Sequence, residues 1–292
     1  MKWLGTTLVV LGLAASPLVR AQPPLQVDEI TWLASDAAVI SGPAGMQRAS
    51  DRLVDWLAQR LPQLRHKRVV ANAKRSWLMI RDGQRVCHAG ALRQPDRERQ
   101  AYFSDIGMLP PPHLVLPRER RDALPLDARG EIDLPALMAD PAWRGALVSG
   151  RSYGATIDAL LAKGPAGATV EMVSASDYGR QLLDMVRKRR VDYTIESAQD
   201  LWTLTRGRPD AADLVTVPIR GASDWVVGGV ACPRNAWGLA AIRLVDRELG
   251  TPEGAAMLRE TLLAQLPPDT ARTYAEPIDA FFKRRAKPTP GL

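Results

Sequence analysis

The feature that most restricts the fold of this 292-residue chain is its alternation of strand-like and helix-like segments in two blocks. "EITWLAS" reads as a strand. "MQRASDRLVDWLAQRL" reads as a helix with Met46, Ala49, Leu53, Leu57 and Leu61 on one face. Short strands "RVVAN", "RVCHAG" and "HLVLP" follow, with an arginine-rich turn before the last. A charged, proline-broken stretch from Arg118 to Asp133 reads as a linker. Then come "GALVS", "ATIDALLAK", "ATVEMV", "YGRQLLDMVRKRR", "VDYTIE", "QDLWTLT" and "DLVTVPI" in strand–helix order. One more strand, "WVVGGVAC", precedes a tail of helices. Repeated strand–helix–strand units imply mainly parallel sheets flanked by helices. The lone late strand implies that the chain leaves a first lobe, builds a second and crosses back. The fold class expected is therefore α/β, with two lobes facing a cleft that can close like a hinge.

The N-terminus sets the compartment. Lys2, an apolar run from Leu4 to Ala15 and Val19-Arg20-Ala21 have the layout of a secretory signal over 1–21. The run is shorter than the roughly 20 apolar residues of a spanning helix. The remaining boundaries expected are lobe one over 22–119 and 221–285, lobe two over 120–220, and a loose tail over 286–292. Export gives meaning to Cys87 and Cys232, the only cysteines, because an oxidising compartment favours joining them. Two buried free thiols are the alternative. A net charge of +7 and a pI near 9.7 raise nucleic acid as a partner. The Lys and Arg are scattered and no aromatics interleave with them, so general surface basicity is the better reading, and no nucleic acid is expected.

Candidate chemistry is sparse. "GRSYG", Gly150 to Gly154, fits a nucleophile elbow between a strand and a helix. Ser152 would need a later histidine, yet His66, His88 and His113 all lie upstream. A small-residue loop whose free N–H groups form an anion site fits better. His88, alone beside Cys87, reads as a core histidine and not a metal ligand. No P-loop, HExxH or dinucleotide fingerprint is present, and no cofactor or metal is expected. Asp36 and Glu196 sit at strand carboxyl ends, where ligands bind, though turn or surface roles fit them too. Gly90 ends a strand, and Arg97 follows in a turn begun by Pro95. A guanidinium there suits bidentate capture of a carboxylate. Solvated pairing of Arg93, Arg97 and Arg99 with Asp96 and Glu98 fits equally, and the residues alone leave both readings open.

"AGALRQPDRERQAYFS" resembles, in spacing, the segment of the bacterial extracellular solute-binding proteins of family 3 in which an arginine binds the ligand carboxylate. Arg97 falls at that position. "ITWLASDAAV" resembles the first strand with its ligand-side aspartate, here Asp36. "LVSGRSYG" resembles the second-lobe loop that puts Ser149, Arg151 and Ser152 at ligand-contacting positions. "RRVDYTIES" resembles the segment ending in the aspartate that grips an amino group, which is Ser197 here, beside Glu196. Leu92 and Val148 replace the family's usual threonine and lysine.

The resemblance implies a type II periplasmic-binding-protein fold and a periplasmic location. It also implies a monomer that takes a small carboxylate-bearing ligand, with a membrane permease or sensor as partner. Its ligand set would be Arg97, Asp36, Gly90, Ser149, Arg151, Ser152, Glu196 and Ser197. It places "WVVGGVAC" beside "RVCHAG", which makes a Cys87–Cys232 bridge reasonable. Two other functions fit the same scaffold. One is a dehydratase-like enzyme using Glu196 as acid or base. The other is a signalling or interaction module without a ligand.

Overall fold

The computed structural model describes residues 26–34, 49–164, 169–174, 180–205 and 213–292. The expected signal segment and Asp36 lie outside the described residues. The first sheet is built from β1 (Glu29–Ala34), β2 (Arg65–Val70), β3 (Val86–Leu92), β4 (Ala101–Leu109) and β10 (Val226–Pro233), in the order β2-β1-β3-β10-β4. The strand–helix units supply its parallel part, β2-β1-β3. β10 enters from the other lobe and runs antiparallel to both β3 and β4.

Helix α1 (Ala49–Arg60) buries Leu53, Val54 and Leu57 against this sheet, and α2 (Ala73–Arg81) buries Ile80 against it while Ala73 faces the second lobe. The C-terminal helices α8 (Ala236–Leu249), α9 (Pro252–Leu263), α10 (Pro268–Thr273) and α11 (Ala275–Arg285) complete the lobe. Trp32, Ile242 and Phe282 lie in its core. Trp32 Nε1 donates to His66 Nδ1 at 3.0 Å, so the indole is buried without an unmet polar atom.

The second sheet holds β5 (His113–Pro117), β8 (Thr194–Glu196) and β9 (Leu214–Val217), with β5 antiparallel to both neighbours. β6 (Gly145–Val148) and β7 (Val170–Val173) form a parallel pair. A bridge from Gly145 to Tyr193 connects that pair to β8, with Ala146 N donating to Tyr193 O at 3.1 Å. Helices α4 (Leu134–Ala139), α5 (Ala155–Ala162), α6 (Arg180–Arg187) and α7 (Ala198–Thr205) flank this sheet. Leu114, Leu116 and Ile195 are fully buried in its core.

The sheets, expected mainly parallel, are mixed: every ladder made by β5 or β10 is antiparallel, and among the described residues only the ladders β2-β1-β3 and β6-β7 are parallel. Three local features also differ from the sequence expectations. β5, expected within the first part of lobe one, makes both its ladders in the second sheet. The stretch Arg118–Ala123, expected as linker, winds into a 3-10 helix. The end of the chain, expected loose, is tied down. Thr289 donates to buried Asp246 from its N–H at 2.6 Å and from its hydroxyl at 2.7 Å, and Leu292 packs on the lobe-one core.

Cys87 and Cys232 face one another across β3 and β10 and form a disulfide with a Cα–Cα distance of 4.4 Å. The pairing of β10 with β3 brings them together, as the position of "WVVGGVAC" implied.

Candidate functional site

The strand β3 rises through His88 and Ala89 to Gly90, whose φ of 140° is a backbone setting that side chains disfavour. After Leu92 the chain turns into α3 (Pro95–Glu98). Pro95 sits in the first turn, where its missing N–H costs nothing. The arginines of this segment divide. Arg93 donates to Glu98 at 2.6 Å and to Asp105 at 3.0 Å. Arg99 pairs with Asp96 at 2.6 Å on the surface. Arg97 turns inward: its Nη1 donates to the Leu92 carbonyl at 3.3 Å, and its Cζ lies 4.2 Å from the centre of the Trp77 ring. The aromatic face and the carbonyl together fix the guanidinium.

On the second lobe, β6 ends at Val148 and the loop to α5 begins. The Ser149 N–H continues the β6–β7 ladder by donating to Val173 O at 2.8 Å. Gly150 has a φ of 77°, and a Cβ on it would lie 2.8 Å from the Lys74 backbone. Only glycine lets the two lobes meet this closely here. Ala73, at the start of α2, is buried in a cluster of second-lobe residues that includes Val115 and Val148.

The Ser152 hydroxyl donates to Asp158 at 2.5 Å and accepts from the Gly154 N–H and from Gln94 of lobe one. Asp158 also accepts from the Tyr153 N–H. Ser152 therefore organises the start of α5 and joins the lobes, and no histidine is among its partners Asp158, Gly154 and Gln94. A second link across the gap runs from Gln199 Nε2 to Gln265 Oε1. The lobes are closed on each other.

Arg151 and Glu196 are both among the residues expected to contact the ligand. They hold each other, with Nη1 and Nη2 donating to the two Glu196 oxygens at 2.6 and 2.9 Å. Nη2 also donates to Asp200 at 2.9 Å. The Glu196 side chain is 1% exposed and that of Arg151 13%. Burial pushes the Glu196 carboxyl up, to about 7, against the pull of Arg151. Bonds of this length to both oxygens are those of a carboxylate, so the pair is charged above that value. Burial opposes the charge on Arg151, but Glu196 and Asp200 more than offset it and hold the guanidinium protonated. Ser197 caps α7, its hydroxyl accepting from Asp200 N at 3.0 Å.

Between the lobes lies a cavity of about 320 Å³. That is within the range of small-molecule sites. Gly90, Arg97, Arg151, Ser152 and Ser197 line it, whereas Ser149 and Glu196 are absent from its wall. Glu196 sits behind Arg151. His88 is at the floor, and burial together with the charge of Arg97 pushes its imidazole down to about 4. Trp77, Gln265 and Asp200 also line the cavity, and the sequence reading singled out none of them. The signal for Trp77 was its place in α2, an element that reading passed over.

No protein-family model and no curated protein matches this chain. Solved structures do. The solute receptor for L-cysteine of Neisseria gonorrhoeae is similar, with a TM-score of 0.58 and 16% identity, over 86% of this chain and 93% of that one. An ancestral arginine-binding protein bound to arginine has a TM-score of 0.61 at 12% identity, over 84% of this chain and 100% of that one. An ancestral amino acid-binding protein described as a precursor of cyclohexadienyl dehydratase has a TM-score of 0.58 at 12% identity, over 82% and 95%. The chain has the two-lobed type II periplasmic-binding-protein fold. At these identities the likeness establishes the architecture and leaves the ligand to be argued from the site.

Proposed function

We propose that this chain is an exported, monomeric solute-binding protein that closes over a small carboxylate-bearing molecule in the periplasm. Lobe closure would hand the guest, or the signal of its presence, to a membrane permease or sensor. The observation that supports this most is the placement of Arg97. It stands on the wall of an interlobe cavity, set by Trp77 and the Leu92 carbonyl, where an incoming carboxylate can be held by two parallel N–H···O bonds. The solute receptors among the similar structures, the disulfide and the signal-like N-terminus support the same reading. In this reading residues 1–21 are removed. The sheet memberships of β5 and β10 support crossings between the lobes near Pro110–Pro112 and Gly221–Trp225 in this reading.

Binding without turnover is better supported than dehydratase chemistry. A carboxyl acting as acid or base must reach the reacting atoms. Both Glu196 oxygens are instead engaged by Arg151, away from the cavity wall. Native mass spectrometry of the exported protein tests the proposal. A co-purified small carboxylate that is lost in Arg97→Ala is expected. A guest held equally well by that variant would refute the assignment.

A further inference from the structure

The cavity floor is bare where β4 and β10 run side by side. Gly107 and Gly228 are partners in that ladder, and both line the cavity. Neither is among the glycines with positive φ, so backbone conformation does not require glycine at either position. Packing does not require it either. A Cβ on Gly107 would find its nearest neighbour, Leu262 Cδ2, at 3.9 Å, and one on Gly228 would find Ile106 Cγ1 at 3.8 Å. These are ordinary contacts. By contrast, a Cβ on the adjacent Gly229 would press on the Ser104 carbonyl at 3.0 Å. A Cβ would fit at 107 and at 228, and the chain leaves that volume open.

The walls of this trough are apolar: Ile106, Leu109, Val226, Leu258 and Leu262. Leu258 and Leu262 lie one turn apart on α9, so they present a continuous hydrocarbon surface. The hydroxyl of Thr261 on the same helix donates to Met257 O at 2.7 Å, and Gln265 is held by Gln199. At its other end the trough meets the arginine. Gly228 pairs with Leu92 across β3, and Leu92 O is the carbonyl that accepts from Arg97.

We infer that the guest is a carboxylate with an extended apolar body, alkyl or aryl-alkyl. Its head lies at Arg97 and its body over Gly107 and Gly228, against α9. The inference rests on the proposed receptor role and narrows its ligand. Calorimetric titration of the ligand-stripped mature protein with straight-chain monocarboxylates from butanoate to octanoate, 3-phenylpropanoate and L-arginine tests it. Affinity should rise about fourfold per added methylene until the trough is full. Gly228→Val or Gly107→Val should weaken octanoate at least tenfold more than butanoate. Gly228→Ala and Gly107→Ala, which intrude less, should show the same ordering and serve if the valine variants do not fold. Affinity independent of chain length, or equal loss for long and short acids, would overturn the inference. Tight, Arg97-dependent binding of L-arginine with no such length dependence would overturn it and leave the receptor role standing. Failure of every carboxylate to bind would remove both.

Discussion

Arg93, Arg97 and Arg99 share one short turn but meet different surroundings. Arg93 has Glu98 and Asp105 within reach, Arg99 has Asp96, and Arg97 has an indole face and a carbonyl in a cavity wall. The same side chain is thus a surface partner, a tie between a turn and a strand, and a candidate ligand group. Arg151 lines the same cavity with its charge answered by Glu196 and Asp200. Replacing it by Met would leave the Glu196 carboxylate, 1% exposed, without its partner. A loss of about 3–5 kcal/mol is expected, read from urea unfolding. Arg151→Met together with Glu196→Leu should recover much of that loss. His88 adds a pH dependence. Its folded pKa, about 4, is below its ordinary 6.5, so its contribution to stability is complete above 6.5 and is lost as the pH falls toward 4. Glu196, raised to about 7, acts in the other direction. The difference in melting temperature between the wild type and His88→Asn should therefore shrink, and can reverse, between pH 7 and pH 4.5. A difference constant over that range would contradict the assignment.

Elements that obey one periodicity were legible in the sequence, and elements with a mixed face were not. β3, β10 and the helices of the tail carry apolar residues in step with their geometry. In α2, by contrast, Trp77, Leu78, Met79 and Ile80 run consecutively, while the buried face is Ala73, Ser76 and Ile80. The helix period is hidden because small residues face inward and Leu78 faces out. β4 escaped for a different reason. Its buried Ser104 reads as polar but is satisfied inside the lobe by Asp246 and Arg285. Missing α2 meant missing Trp77, and with it the group that orients Arg97. The last helical segment of the tail, "TARTYAEPIDAFFKRR", reads as one helix but breaks at Tyr274, which meets Trp225 edge to face at 4.9 Å. The Cys87–Cys232 bridge follows from the antiparallel pairing of β3 with β10. Because Cys87 and Cys232 are 145 residues apart in sequence, replacing both by serine should cost about 2–4 kcal/mol. A lower urea midpoint with an unchanged circular dichroism spectrum would report it, and an unchanged midpoint would argue against the constraint.

For the whole molecule, the arrangement is a pair of lobes held shut by small contacts. Gln94 meets Ser152, Gln199 meets Gln265, and Gly150 rests on the backbone of Lys74. The two side-chain links are neutral hydrogen bonds, each worth about 1 kcal/mol, and Ala73 adds a small apolar contact with Val115 and Val148. In the proposed mode of recognition, the charge that meets the guest sits on lobe one, in the turn after β3. The second lobe contributes Arg151 already paired, together with the loop that meets lobe one. Titration calorimetry of the wild type and Arg97→Ala with the co-purified carboxylate is the most direct test of this arrangement. A loss of at least tenfold in affinity, with the unliganded melting temperature preserved, is the expected result. Equal affinity in the two proteins would contradict the role given to Arg97 and with it the proposed mode of recognition.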